Sequence, residues 1–218
     1  MRTHDLRPFP CLLLSLLLAF ALGACRQSPA PADVDAPKPG PIEQVVVEPE
    51  AEAVPTRPEL PPLFRDIERR TFQFFWDTTN EANGLTPDRY PSRPFSSIAA
   101  VGFALTAYPI GIENGWVSRT QAVDRTLATL KFLREAPQGP QAGGRAGYKG
   151  FFYHFIDMDT GHRYNTWVEL SSVDTGLMLM GALFAQSYYD GDDPREVEIR
   201  ELAVQLYRRV EWPWMQQR

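Results

Sequence analysis

The stretch SIAAVGFALTAY, residues 97–108, carries apolar or small side chains on every side of a helical wheel. A helix that is hydrophobic all round is buried, so this stretch predicts a helix inside the fold. A second stretch of the same kind, LMLMGALF at residues 177–184, lies within a helix predicted at about 172–188. Small residues in both stretches allow the two predicted helices to approach each other closely.

Three further predicted helices are amphipathic, and they cover about residues 63–76, 118–134 and 194–210. Such helices pack one face inward and leave the other in solvent. Ser118 is the predicted N-cap of the second. The predicted inward residues are Leu63, Ile67, Thr71, Phe74 and Phe75 in the first helix and Val123, Leu127 and Leu130 in the second. The five helices therefore alternate outer, inner, outer, inner, outer, as expected for helical hairpins wrapped into a double ring.

The connections between the predicted helices differ in length according to their direction. Inner-to-outer connections, at about 110–117 and 189–193, are short, whereas outer-to-inner connections, at 77–96 and 135–171, are long. Both long loops must then lie at the same end of the ring, beside the N-termini of the inner helices. A functional cleft is expected at that end, because binding and catalytic groups commonly lie on loops held by a rigid scaffold.

The second long loop leads into the inner helix through GYKGFFYHFIDMDTGHRYNTWVELSSVDTGL, residues 147–177. This segment combines many aromatic side chains with four carboxylates. Aromatic faces stack on sugar rings, and glycosidic bonds are hydrolysed by paired carboxyl groups. The composition therefore favours a carbohydrate site.

Together with FSSIAAVGFALTAYPIGIENGW at residues 95–116, this segment resembles the glycoamylase-like family of bacterial carbohydrate-active proteins. The family includes endo-β-1,2-glucanases and is related to domains of cyclic β-glucan synthases. The resemblance covers about residues 63–215 and implies an all-α fold of the (α/α)6 barrel type, with the two motif stretches lining the active site. The chain supplies about five of the twelve helices of such a barrel, plus a small β-hairpin in one long loop. We therefore expect only the N-terminal part of the barrel, from a truncated reading frame or a fragment, with inner-helix faces left exposed.

Glu169 and Asp157 are the predicted catalytic carboxylates. Glu169 lies just before the second inner helix, where nearby aromatic residues and the helix N-terminus can tune its acidity. The alternative for Glu169 is a solvated loop residue or an ion pair with Arg163. Asp157 ends an aromatic, strand-like run. Its alternative is a structural role in the hairpin turn DMDTG, which Gly161 closes. That structural role alone is enough to explain Asp159.

The predicted substrate-binding residues line the same two loops. They are Asp88, Arg89, Tyr148, Lys149, Tyr153, His154 and Trp167. Asp88 and Arg89 have the alternative of a loop-fixing ion pair, and His154 that of a hydrogen-bonded structural residue. Asp174 is predicted to cap the second inner helix, because SSVD at residues 171–174 matches a capping box. No metal and no cofactor are expected, since after cleavage before Cys25 only two histidines and no second thiol are left, DMDTG does not continue as a calcium loop, and no Gly-rich phosphate loop is present.

The N-terminus predicts export and lipidation. Residues 1–24 contain Arg2, Arg7 and a short apolar run ending in Leu-Gly-Ala before Cys25, which resembles a lipobox. Cys25 is the predicted lipidation site, and acyl chains would hold the protein at a membrane of the bacterial cell envelope, on the periplasmic or the outer-membrane side. Residues 25–62, rich in Pro, Ala and acidic residues, are a predicted disordered tether before the domain at 63–218. The net charge of −5 and the lack of a basic stripe argue against nucleic acid as a partner.

The function predicted from these features is that of an envelope lipoprotein whose domain hydrolyses bacterial glucans resembling β-1,2-glucan. The partners expected are a glucan or oligosaccharide and the membrane that holds the anchor. The alternatives are a lipoprotein that binds glycans without hydrolysing them and an inactive fragment.

Overall fold

A computed structural model describes residues 60–216, all of which fall in one compact unit, Thr56–Arg218. The predicted signal peptide, the lipidation site Cys25 and nearly all of the predicted tether lie outside the described residues. None of the helices within residues 60–216 is long and apolar enough to cross a membrane.

The described residues form the five predicted helices and one short additional helix. Their bounds are α1 Pro62–Thr78, α2 Ile98–Glu113, α3 Arg119–Glu135, α4 Ser172–Tyr188, α5 Pro194–Arg208 and α6 Trp212–Met215. At the start of α3, the Ser118 hydroxyl accepts a hydrogen bond from the Gln121 amide, and the Gln121 side chain accepts one from the Ser118 amide. This reciprocal capping box confirms the predicted N-cap.

Helix α2 continues beyond its predicted end at Tyr108. Pro109 lies inside the helix, and the chain leaves it only at Asn114, whose side chain donates to the Ile110 carbonyl. Gly111 is packed so closely against the Phe72 ring of α1 that a Cβ there would clash. The packing of Gly111 against Phe72 stabilises the helix by more than the missing backbone N–H of Pro109 destabilises it. A sequence pattern does not show this tertiary contact.

The layering of the helices matches the predicted alternation. Inner helices α2 and α4 pack along each other, and outer helices α3 and α5 do the same. At the centre of the inner pair, Gly102 faces the Leu177 carbonyl and Gly181 faces the Gly102 carbonyl, so neither position has room for a Cβ. The buried residues Val123, Leu127 and Leu130 confirm the predicted inward face of α3.

The predicted inward face of α1 is wrong in the first turns of the helix, although Phe75 packs against the core as predicted. Leu63, with 66% of its surface exposed, and Ile67 both point to solvent. The buried side is centred instead on Phe72, which stacks on Trp76 and contacts Trp116. Aromatic residues one turn apart at positions 72 and 76 therefore decided the orientation, although the aliphatic residues gave the clearer helical spacing.

The inner helices also differ from the prediction that they are buried on every side. Phe103 and Ile110 of α2 are exposed, and so are Val173 and Met180 of α4. Within residues 60–216, no element covers these side chains. The expected exposure of inner-helix faces is therefore present in the structure.

Five short strands hold the two long loops together. They are β1 Ser96–Ser97, β2 Gly147–Tyr148, β3 Phe151–Tyr153, β4 Phe155–Ile156 and β5 Leu170–Ser171, and all their pairings are antiparallel. Strands β2, β3 and β5 form one sheet in that order, and β1 pairs with β4.

The small β-hairpin is formed by β2 and β3. Its two turn residues, Lys149 and Gly150, have φ angles of 53° and 86°, as in the tight turns that suit the twist of paired strands. The turn predicted at DMDTG also forms, with a φ of 67° at Gly161 and a single antiparallel bridge between Ile156 and Arg163.

The two long loops meet at one end of the helices, as predicted. Ser96 pairs with Ile156 across the β1–β4 ladder, and Asn83 donates from Nδ2 to the Met158 carbonyl at 3.0 Å. These contacts join the first long loop to the second beside the N-termini of α2 and α4.

Candidate active site

His154 lies between two carboxylates at the meeting point of the long loops. Its Nδ1 is 2.8 Å from Oε1 of Glu169, and its Nε2 is 3.5 Å from Oδ1 of Asp174. An ionised carboxylate only accepts hydrogen bonds, so the short contact requires a proton on Nδ1, which donates to Glu169. The longer contact brings Asp174 within the range of an ion pair.

The backbone fixes His154 relative to both inner helices. The amide of His154 donates to the Glu169 carbonyl at 3.0 Å, which extends the β3–β5 ladder by one residue. Its carbonyl accepts from the amide of Ile98, the first residue of α2, at 3.1 Å. The candidate site is thus built where two inner helices begin, at the end of the fold predicted from loop lengths.

Asp174 has the predicted capping role and a further contact with His154. Its amide donates to the hydroxyl of Ser171, the N-cap of α4, and that hydroxyl donates back to the Asp174 carboxylate. The approach of Asp174 to His154 was not predicted from the sequence. Glu169 precedes the extended strand β5 and Asp174 lies in the first turn of α4, so the pairing of Glu169 with His154 brings the three residues together.

The Glu169 carboxylate is ionised more readily than an ordinary glutamate. Hydrogen bonds from its own backbone amide and from His154 lower its pKa, and they outweigh the opposing effect of burial. The side chain is 60% exposed, so the predicted tuning by a desolvating aromatic wall is not the dominant effect. Glu169 therefore favours its charged form, in which it carries no proton to donate.

Arg163 supports the loop that carries Glu169. Its guanidinium donates to the carbonyls of Val168 and Thr166, each at 2.7 Å, and lies 4.5 Å from the centre of the Tyr153 ring. Arg163 therefore bonds backbone carbonyls and does not form the alternative ion pair with Glu169. It still helps to lower the Glu169 pKa through its positive charge.

Aromatic rings extend from His154 toward the first long loop. Phe155 stacks on the imidazole with ring centres 3.7 Å apart, and Phe95 lies 4.2 Å from Phe155. Arg89 lies over the Phe95 ring at 5.3 Å, and Asp88 accepts a hydrogen bond from Arg89 at 3.1 Å. Asp88 and Glu169 therefore belong to one continuous set of contacts, and the alternative ion pair of Asp88 with Arg89 is present.

Trp167 is an open aromatic side chain beside this set. It is 61% exposed, and its ring centre lies 6.2 Å from that of Phe155. Tyr153 lies under Arg163, so its ring face on that side is occupied. Trp167 is thus the predicted substrate-binding residue best placed to offer a free ring face.

Asp157 lies in its own turn. Its Oδ1 accepts hydrogen bonds from the amides of Asp159 and Thr160 and from the Thr160 hydroxyl. The hydrogen bond from the Thr160 backbone amide contributes most to lowering the Asp157 pKa. These contacts match the alternative of a turn residue, and none of them joins Asp157 to Glu169 or His154. A catalytic role for Asp157 stays a prediction.

Tyr148 and Lys149 contact a different part of the chain. Lys149 forms an ion pair with Glu211, which raises the Lys149 pKa, and the Tyr148 ring meets Trp214 edge-on at 5.3 Å. The structure therefore places the hairpin turn against α6 and gives neither residue a contact with the His154 cluster. Their predicted substrate binding stays a prediction.

Comparison with known proteins identifies relatives that act on β-1,2-linked glucans. No protein-family model matches the chain. The exo-β-1,2-glucooligosaccharide sophorohydrolase of Parabacteroides distasonis, which acts at the non-reducing end, is 28% identical over 156 residues. The match covers 69% of this chain and 20% of that enzyme, so the chain spans about a fifth of its curated relative.

Solved structures give the same picture. A glucoamylase-like protein of Bacteroides uniformis matches with a TM-score of 0.62 and 28% identity, over 72% of this chain and 38% of its own. The endo-β-1,2-glucanase of Chitinophaga pinensis, solved with sophorotriose and glucose, matches with a TM-score of 0.58 and 25% identity, over 70% and 37%. These similarities confirm the resemblance to the glycoamylase-like family and its barrel-type helical fold over the part of the chain that they cover.

Proposed function

We propose that this chain carries a glycoside-hydrolase-type domain that acts on β-1,2-linked glucans. The observation that carries the proposal is an ionised, solvent-accessible Glu169 held by His154 beside exposed Trp167, in a chain related to β-1,2-glucan hydrolases. A carboxylate supplies the nucleophile or base of glycoside hydrolysis, and an aromatic face supplies a platform for a sugar ring.

In this mechanism Glu169 acts in its charged form. It removes a proton from the attacking water or attacks the anomeric carbon, and both roles require the carboxylate form that its hydrogen bonds favour. The proton donor to the leaving oxygen is then a separate carboxylic acid. The distance between the two groups decides whether the configuration at the anomeric carbon is inverted or retained.

The first experiment compares the chain with its Glu169→Gln variant in reducing-sugar release from β-1,2-glucan. We expect turnover to fall by about a hundredfold or more, since the amide neither accepts the proton nor attacks. Glu201→Gln, which removes an exposed carboxylate of α5, is the matched control and should keep full activity. Equal turnover in the chain and Glu169→Gln would remove Glu169 from the mechanism.

The second candidate function is glycan binding without hydrolysis. The observation that favours it is the turn in which Asp157, the other predicted catalytic carboxylate, is already engaged. Calorimetric titration with β-1,2-glucan decides between the two functions. Binding that leaves the glucan intact after prolonged incubation supports the second candidate, and release of oligosaccharides supports the hydrolase.

We also propose that the protein is a lipid-anchored envelope protein, with acyl chains on Cys25. The support is the order of charged residues, apolar run, small residues and cysteine in residues 1–25. Expression in a bacterial host should place the chain in the membrane fraction, and Cys25→Ala should release it or leave it unprocessed. Identical fractionation and mass of the two chains would contradict lipidation at Cys25.

A further inference from the structure

His154 contacts the protein through both its ring and its backbone. Nδ1 contacts Glu169, Nε2 faces Asp174, the amide bonds the Glu169 carbonyl, and the carbonyl bonds the amide of Ile98. One face of the imidazole is covered by Phe155. The imidazole therefore contacts a carboxylate on each side of its ring, and the shorter contact is the one to Glu169.

We propose that His154 is a positioning residue, which fixes the Glu169 carboxylate in its working orientation. The inference rests on the proposed function and differs from the substrate contact predicted from the sequence. It follows from the geometry, because the His154 carbonyl bonds the first residue of α2 and its ring faces Asp174 of α4, while the Glu169 carboxylate is hydrogen-bonded to the His154 ring.

The physical reason is the freedom of a glutamate side chain. Glu169 is 60% exposed, and without a partner its flexible side chain would move among several rotamers. Its bond to Nδ1 holds one oxygen at a fixed point relative to α2 and α4. A misplacement of about 1 Å in a catalytic group costs on the order of a hundredfold in rate, so such a bond is worth much more to catalysis than to stability.

Three substitutions separate the two sides of the imidazole. In His154→Asn the amide nitrogen occupies nearly the position of Nδ1 and can still donate to Glu169. In His154→Gln the amide nitrogen occupies nearly the position of Nε2 and faces Asp174 instead. His154→Ala removes both contacts, and all three keep the backbone bonds of residue 154.

We expect His154→Ala and His154→Gln to lower kcat by about ten- to a hundredfold with KM changed less than about twofold. His154→Asn should recover about tenfold of the activity lost in His154→Ala. Circular dichroism and urea unfolding check that the variants are folded. A rise in KM with kcat unchanged would show direct substrate binding and would overturn the proposal.

The carboxyl titration of Glu169 gives a readout that does not depend on turnover. It is followed by carbon NMR in glutamate-labelled full-length protein, with Glu169→Gln used to assign the signal. The bond from His154 favours the carboxylate, so its loss should raise the Glu169 pKa in His154→Ala and His154→Gln but not in His154→Asn. The acid limb of the kcat/KM profile should move to higher pH in the same two variants.

The two measurements keep the outcomes apart. If the chain shows no turnover but the Glu169 titration shifts as described, the proposed hydrolase function fails and the positioning contact stands. If turnover occurs and neither kcat nor the Glu169 titration responds to His154→Ala, the positioning role is overturned and the proposed function stands.

Discussion

At the scale of single residues, the Asp157 carboxylate stabilises a backbone turn through its hydrogen bonds. Since its Oδ1 accepts three hydrogen bonds, and asparagine keeps an oxygen at that position, we expect Asp157→Asn to retain turnover within about twofold. Asp157→Ala should lower the free energy of unfolding by about 1 kcal/mol, measured by urea unfolding. A hundredfold loss of turnover in folded Asp157→Asn would restore the catalytic prediction.

Trp167 gives the second prediction at this scale. Its exposed ring makes few contacts, so Trp167→Ala should leave stability nearly unchanged while weakening glucan binding by about fivefold, or about 1 kcal/mol. Calorimetric titration measures the affinity. Trp214→Ala is the matched control, because Trp214 is also exposed but lies against Tyr148. If Trp214→Ala weakens binding as much, the hairpin turn belongs to the binding surface.

At the candidate site, local sequence patterns indicated where Glu169 and Asp174 lie but not how they are connected. The helix start indicated Glu169 and Asp174, because carboxylates near an N-cap have a clear local pattern. The bridge through His154 could not be predicted, since it depends on a strand register that joins residues fifteen positions apart. Lys149 and Glu211 are an even clearer case, because no local pattern connects residues so far apart along the chain.

At the scale of elements, the close contact of α2 and α4 depends on two glycines. A Cβ at Gly102 would meet the backbone of Leu177 and Met178, so Gly102→Ala should lower the free energy of unfolding by about 2 kcal/mol. Gly176 lies in α4 with nothing near its missing Cβ, so Gly176→Ala should raise the same free energy by about 0.5–1 kcal/mol. Urea unfolding of both variants checks the contrast, and equal effects would contradict the packing.

The first turn of α5 is tied to α3 by an ion pair. The Glu196 side chain, 6% exposed, accepts two hydrogen bonds from Arg119 at 2.8 and 2.9 Å. We expect Glu196→Gln to lower the free energy of unfolding by about 2 kcal/mol at pH 7. Glu198→Gln is the matched control on the same helix, since its pair with Lys131 is exposed, and should cost less than about 0.5 kcal/mol.

The effect of Glu196→Gln should depend on pH in a defined direction. Arg119 lowers the pKa of Glu196 in the folded protein below its ordinary value of about 4.3. The stabilisation is therefore complete above that ordinary value and is lost as the pH falls through the lower, folded-state pKa. Urea unfolding at several pH values should show the difference between the chain and the variant narrowing below about pH 4.3. A constant difference would contradict the ion pair.

The elements themselves followed from hydrophobic periodicity, because each helix has a face or an interior that its spacing reveals. The orientation of α1 could not be predicted in the same way, because the helix has two candidate inward faces, one with Leu63 and Ile67 and one with Phe72. The contacts of Phe72 with Trp116 and Gly111 decide between these faces. The predicted end of α2 was wrong for a related reason, because packing against α1 stabilises the helix beyond Pro109.

At the scale of the whole described unit, the arrangement of the loops was predictable because connection lengths alternate. Short connections keep neighbouring helices antiparallel, and this forces the long connections to one end. The strands that join these loops contain only two or three residues each, too few to give an alternating pattern. Their pairing is therefore visible only once the helices have brought the loops together.

The exposed sides of the inner helices lead to a prediction about the molecule in solution. Phe103 follows Gly102 in α2 and Met180 precedes Gly181 in α4, so both exposed side chains lie next to the contact between these helices. Exposed apolar side chains on packed helices promote association. We expect the purified chain to gain apparent mass with concentration in size-exclusion chromatography with light scattering, and the double variant Phe103→Gln, Met180→Gln to gain much less. Tyr207→Gln removes a single exposed aromatic of α5 and should behave like the unmodified chain. A concentration dependence shared by all three proteins would place the associating surface elsewhere.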